Sequence, residues 1–167
     1  MSTIAAVTSY NFSVFLHVTA VVVGMGATFA ESITFPVAMM LDRRHLPYVH
    51  RLQRAVNQWL TSPSLLIVIA TGFYQVSKGD WKFGDFWISG SFAIVIAIGA
   101  ILGAYFIPED RKLQAMAERD ISASPPGGEV TMSKEYMSRS RREGIVGAIT
   151  GLLVIAAIFL MVTKPGV

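Results

Sequence analysis

The chain contains no cysteine, which excludes disulfide staples, thiolate metal sites and cysteine-ligated iron–sulfur clusters from its 167 residues. Charge is the second scarcity. Only 15% of the residues are Asp, Glu, Lys or Arg, against about 25% in an ordinary soluble domain. The deficit is concentrated in four places. No charged residue precedes Glu31, and none lies between Arg54 and Lys78, between Asp85 and Glu109, or between Glu143 and Lys164. Each gap supplies the roughly 20 apolar residues that cross a bilayer's hydrocarbon core. Soluble enzymes, secreted disulfide scaffolds and DNA-binding domains are thereby excluded.

Catalytic signatures are also missing. There is no glycine-rich phosphate loop with Lys-Ser/Thr, no His-Glu-x-x-His, no Gly-x-Ser-x-Gly and no carboxylate pair within a span. The N-terminal MSTIAAVTSYNFSVF lacks the positive region and cleavage site of a signal peptide. Met1 is therefore expected to start the mature chain, and the first apolar stretch to persist as a span.

What remains is an all-α, membrane-embedded up-down four-helix bundle with helices extended into the cytoplasm. The expectation is a single transmembrane domain over residues 1–167, with spans at about 10–41, 59–77, 86–107 and 144–163. The cytoplasmic loops are 42–58 and 108–143. Tyr10, Phe12, Trp59, Trp81, Phe86, Trp87, Tyr105 and Phe106 stand where interfacial anchors belong. The first and third loops together carry eleven Lys and Arg, against three in the second loop and tail. Basic loops stay inside, so both termini are expected outside. The basic loops abut the membrane, so anionic lipid rather than nucleic acid is their expected counterpart.

Those loops read as helix. Pro47 can open a helix that runs on into the second span, and EDRKLQAMAERD continues the third. SASPPGG breaks the chain, and Ser133 is a candidate N-cap for the last helix. Pro36 and Pro63 are candidate kinks. Gly99-xxx-Gly103 and Gly147-xxx-Gly151 suit close helix packing, within the chain or across a homodimer seam.

Two residues interrupt the first span, His17 and Glu31. With Gly24 they recur every seven residues and so lie along one helical stripe. Ionisable groups inside a membrane are costly and point to function. A neutral imidazole can ligate haem iron, or it can hydrogen-bond a carbonyl or hydroxyl on the next helix. Gly24 would leave room for a flat ring. Glu31 can relay protons, ligate a cation or contact a quinone; it can equally hydrogen-bond a neighbouring helix or pair with Arg51 or Arg54. Met161, Lys164, Lys78 and Lys82 are the outer-side candidates for a second axial ligand. His45, His50 and Arg51 read as a solvated helical face, while Asn57 and Gln58 stand at the level of Glu31.

The stretches FLHVTAVVVGMG, SPSLLIVIATGFY and GDWKFGDFW…AYFIPEDRKLQA resemble a family of bacterial four-span integral membrane proteins of unknown function. The matching positions are His17, Gly24, Thr71, Gly72, Trp87 and Pro108. That family is distantly similar to copper-resistance D-type proteins and to membrane haem-containing protoporphyrinogen oxidases. The resemblance implies a protein of the bacterial cytoplasmic membrane with periplasmic termini, and His17 as the ligand of a haem b. Those oxidases add a lysine from a later span, and no lysine lies inside spans 2 to 4 here.

The leading expectation is thus a b-type haem- or porphyrin-binding protein, linked to electron transfer with a quinone. Its cofactor-binding residues are His17, Gly24, Glu31 and Met161, with His17 on the metal. A second is transport or sensing of a small cation, copper included, along His17, Met25 and Glu31. A third is a structural subunit of a larger membrane complex, or a homo-oligomer, held by the glycine faces.

Overall fold

The computed structural model describes residues 8–166, and their regular structure is entirely helical. Helix α1 (Ser9–Met40) begins where the Thr8 hydroxyl accepts the Asn11 N–H at 3.1 Å, and it runs through Pro36 without ending. It stops at Leu41, and Asp42 then caps a short 3₁₀ turn, Arg43–His45, by accepting the Arg44 N–H. Helix α2 (Leu46–Val56) starts with Pro47 in its first turn, where a missing N–H costs nothing.

Helices α2 and α3 (Ser62–Lys78) form one rod, joined by a π turn at Asn57–Thr61. Helices α4 (Phe86–Ile101) and α5 (Ile107–Ser122) form another, joined by a π turn at Leu102–Phe106. Each π turn immediately precedes a helix with proline near its start, Pro63 or Pro108. A proline brings no N–H and crowds the carbonyl four residues back. Widening the preceding turn accommodates both effects without breaking the rod. Helix α6 (Lys134–Thr163) is capped by Ser133, as its sequence predicts, after the chain turns through Gly127 at φ 73°.

Four helical rods are long and apolar enough to cross a membrane: Ser9–Met40, Arg43–Lys78, Phe86–Ser122 and Lys134–Thr163. Their outward faces carry Phe15, Val22, Ile33, Leu66, Leu152 and Val162, all exposed, as hydrocarbon-facing positions are in an isolated bundle. Inside, α1 packs on α3 and α4 on α6, around Ala20, Met25, Leu65, Val68, Ile98 and Val154. At the basic end α2 packs on α5 around a second core of Leu46, Val49, Leu113, Ala117 and Tyr136. The segments read as loops 42–58 and 108–143 are mostly extensions of the rods, with a core of their own.

The glycines behave differently from the packing expectation. Gly99, Gly103 and Gly147 have no neighbour within 4 Å of where a Cβ would stand, so they do not bring helices of this chain together. Close approach occurs at Gly24, where a Cβ would sit 2.6 Å from the Ser64 Cβ. Gly24→Ala is therefore expected to destabilise the protein by about 1–3 kcal/mol through overpacking. Gly99→Ala is expected to be neutral or stabilising by up to about 1 kcal/mol, since alanine is the better helix former. Thermal unfolding of the two variants in detergent compares them directly; equal effects would contradict this packing.

Candidate functional site

Among the described residues, two cavities of similar size and different character stand out. The first, of about 430 Å³, lies toward the chain termini and is lined by His17, Met25, Gly72, Trp87, Met161 and Lys164 among others. The second, of about 440 Å³, lies toward the basic end and is lined by Glu31, Gln53, Asn57, Thr61, Asp110 and Glu143 among others.

The first cavity is mostly apolar, with His17, Gln75, Ser91 and Lys164 among its few polar members. The His17 Nδ1 lies 2.8 Å from the Thr71 Oγ1. That hydroxyl donates to the carbonyls of its own helix, at Ile67 and, at 3.2 Å, Val68. Its one proton is committed there, so toward the imidazole Thr71 can only accept. The hydrogen-bond network therefore assigns the proton to Nδ1 and the lone pair to Nε2. No described protein group hydrogen-bonds to that Nε2. A donor hydrogen bond fixing the far nitrogen is the arrangement that orients histidines ligating metals. Gly72 places its bare Cα beside the ring, since a Cβ there would lie 3.7 Å from the His17 Cε1 and 3.2 Å from Phe92.

Trp81 and Trp87 form an edge-to-face pair in the cavity wall, with ring centroids 5.2 Å apart. Trp87 is buried, so it is not the interfacial anchor its position in the sequence implied. Lys164, held in the left-handed conformation that ends α6, rests its amine 4.4 Å from the Trp81 ring centroid. A lysine from just beyond the last span thus reaches the His17 cavity. Met161 lines it as well, whereas Lys78 and Lys82 do not.

The stripe of His17, Gly24 and Glu31 divides. His17 opens on the first cavity, Gly24 is buried against Ser64, and Glu31 opens on the second cavity. Gly24 therefore gives no room to a ring beside His17; Gly72 occupies that place. Glu31 forms no ion pair with Arg51 or Arg54, and its Oε1 is buried without a hydrogen-bond partner.

The larger correction concerns His50. Read as part of a solvated face, it is fully buried, with Nε2 2.8 Å from the Tyr136 hydroxyl and Nδ1 3.6 Å from the Asp110 Oδ1. His45 and Arg51 are exposed, as expected. The Glu143 carboxylate completes a group with His50 and Asp110 in which one donor atom from each lies within 4.8 Å of the others. The sequence did carry a signal for this. Leu46, His50, Gln53 and Asn57 follow one another at three- or four-residue steps, as do Tyr136, Ser140, Glu143 and Gly147. Each set is one inward helical face, obscured by the basic residues between its members.

The model of one protein family, described as "Predicted integral membrane protein (DUF2269)", matches residues 12–165. No curated protein and no solved structure matches the chain. The family match covers nearly the whole chain and agrees with four membrane-length helices; the chain is a multi-pass integral membrane protein and belongs to the DUF2269 family of predicted integral membrane proteins.

Proposed function

We propose that the protein binds a b-type haem, or a closely related metalloporphyrin, in the His17 cavity and serves electron transfer in the bilayer. The observation that carries this reading is the His17–Thr71 hydrogen bond, which leaves an imidazole lone pair facing a cavity of about 430 Å³. That volume lies in the range of about 300–1,000 Å³ typical of small-molecule and cofactor sites. The donor set suits the group. His17 would ligate the iron, with the Met161 thioether and the Lys164 amine as further donors in the same cavity. Trp81, Trp87 and Phe92 offer flat apolar surface, and Lys164 offers a donor for an acidic edge group. Bound there, an iron porphyrin supplies a reversible one-electron couple; the chain's part is to hold it, exclude water and fix the His17 tautomer.

A quinone is the electron partner this reading favours. Val18, Ile158 and Val162 line the cavity and are also exposed on the bundle's outer surface. A lipid-soluble carrier can therefore approach from the hydrocarbon side. Glu31 belongs to the other cavity and has no part in holding the porphyrin.

Purified in mild detergent from haem-sufficient cells, the full-length protein is expected to show a Soret band that shifts on dithionite reduction. His17→Ala should abolish the band. Thr71→Val, which keeps the shape but removes the hydroxyl, should lower haem affinity by about 10–100-fold, the usual cost of losing such an orienting partner. A colourless, folded wild-type protein from cells supplied with haem would overturn the proposal.

We further infer that the chain sits in a bacterial cytoplasmic membrane with its termini periplasmic, from the eleven-to-three asymmetry of Lys and Arg between the two ends. A C-terminal alkaline phosphatase fusion should be active, and a fluorescent-protein fusion at the same point dark. The reverse pattern would invert the orientation.

A further inference from the structure

Within the basic half of the molecule the acidic side chains fall into two groups. Glu109 is paired with Arg139 at 2.8 Å and with Lys112 at 3.8 Å. Asp120 accepts the Ser133 backbone N–H at 2.8 Å and pairs with Arg119 at 3.1 Å. Glu31, Asp110 and Glu143 are treated otherwise. No described Lys or Arg comes within ion-pair distance of any of them, and the one basic side chain in reach is the His50 imidazole, 3.6 Å from Asp110.

Around these three carboxylates the unmet polar atoms accumulate. Glu31 Oε1, His50 Nδ1, Asp110 Oδ2 and Glu143 Oε1 are all buried and have no hydrogen-bond partner. So are Gln53 Oε1, Thr61 Oγ1 and Ser140 Oγ, whose residues line the same cavity. His50 and Asp110 are the decisive members, being 0% and 1% exposed. An unpaired buried polar group costs about 1–3 kcal/mol, and a charged one more. Six of these seven atoms belong to residues that line the 440 Å³ cavity, and the seventh, His50 Nδ1, lies directly behind it, 3.6 Å from the Asp110 Oδ1.

We propose that His50, Asp110 and Glu143, with Glu31 lining the same cavity, form a binding site for a divalent first-row transition cation such as Mn²⁺, Fe²⁺ or Zn²⁺. The chemistry selects the class. The two carboxylates of Asp110 and Glu143, when ionised, balance the charge of a dication. One imidazole beside them favours a transition metal over Mg²⁺ or Ca²⁺, which prefer all-oxygen shells. Neither cysteine nor methionine lines the cavity, so the soft donors that would select Cu⁺ are missing from its wall. His50 is held as a ligand should be. Its Nε2 can donate to Tyr136, which frees Nδ1 for the cation and keeps the ring fixed against the T-shaped face of Tyr136.

The backbone around the site is specialised as well. Both π turns border the cavity, bringing Asn57 and Thr61 from one rod and Leu102 and Phe106 from the other. Such turns recur at functional sites because they redirect side chains out of the regular helical register. Gly144, Gly147 and Gly151 of α6 line the opposite wall, and their missing side chains leave the volume open. These are the glycines whose spacing suggested helix packing. Here they keep α6 from filling the space.

The site is independent of the His17 cavity. Glu31 follows His17 by 14 residues on α1, a separation of about 21 Å at 1.5 Å per residue. The test uses the full-length protein in detergent, stripped of metal with chelator and titrated with Mn²⁺ while the free-ion electron paramagnetic resonance signal is followed. Wild type should remove about one equivalent of Mn²⁺ from solution, and Zn²⁺ should displace it. Asp110→Asn and Glu143→Gln should each weaken binding by at least tenfold, and His17→Ala should leave it unchanged. If Asp110→Asn does not fold, Glu143→Gln gives the reading, because Glu143 is only half-buried. Wild-type protein that leaves Mn²⁺ free, or carboxamide variants that bind as tightly as wild type, would overturn the proposal. A Soret band lost in His17→Ala is read separately, so failure of one site is not failure of the other.

Discussion

A bundle of apolar helices has no water inside it, so each polar side chain facing inward must be answered by another part of the protein. That requirement shapes both halves of the molecule. In the upper half, Thr71 meets it by turning its proton onto its own helix and its lone pair onto His17. Gln75 and Tyr74 meet it by reaching Ser13 and Ser9 on α1. These links run between α1 and α3, so polar registration and apolar packing set the same interface. In the lower half the requirement is met for Glu109 and Asp120 and unmet for the group around His50.

The two cavities differ because the helices that build them change character along their length. Helix α4 carries no charged residue, and Trp87, Phe92 and Val95 present mainly hydrocarbon and aromatic surface to the first cavity, while the Ser91 hydroxyl turns onto its own helix at the Trp87 carbonyl. Beyond the π turn the same rod becomes α5, where Asp110 replaces that surface with a carboxylate. Helix α3 and α2 make the same transition in reverse order along the chain. The π turns stand at both crossings. Each allows a rod to continue without interruption while shifting the face it presents inward.

Spans and caps were legible because they depend on local properties. A run without charge is apolar whatever lies beside it, and the Ser133 cap needs only the Tyr136 N–H three residues on. His17 stood out because it is alone among apolar neighbours. His50 did not, because Arg51 and Arg54 share its short helix, and its inward face shows only over the longer run from Leu46 to Asn57. Its burial depends on Tyr136, which is 86 residues away, and on Asp110 in a third helix. Trp87 and Lys164 were misjudged or undervalued for a related reason. A tryptophan at a span's end and a lysine just outside one have the composition of membrane anchors, and only tertiary contact between them reveals a cavity wall.

The contrast between paired and unpaired acids bears on why the lower cluster exists at all. Replacing a buried ionic group with well-packed apolar residues is often neutral or stabilising, so stability alone gives little reason to retain one. A network kept only for rigidity would also be expected to satisfy its own members, as Asp120 does with Ser133 and Arg119. The His50 group instead surrounds a cavity whose far wall is glycine, and its oxygens stay unsatisfied across that space. Neither packing nor internal hydrogen bonding accounts for a set of acids and a histidine fixed beside an open cavity. Donors fixed in advance of their partner reduce the entropy lost on binding, and that advantage is available only if a ligand arrives.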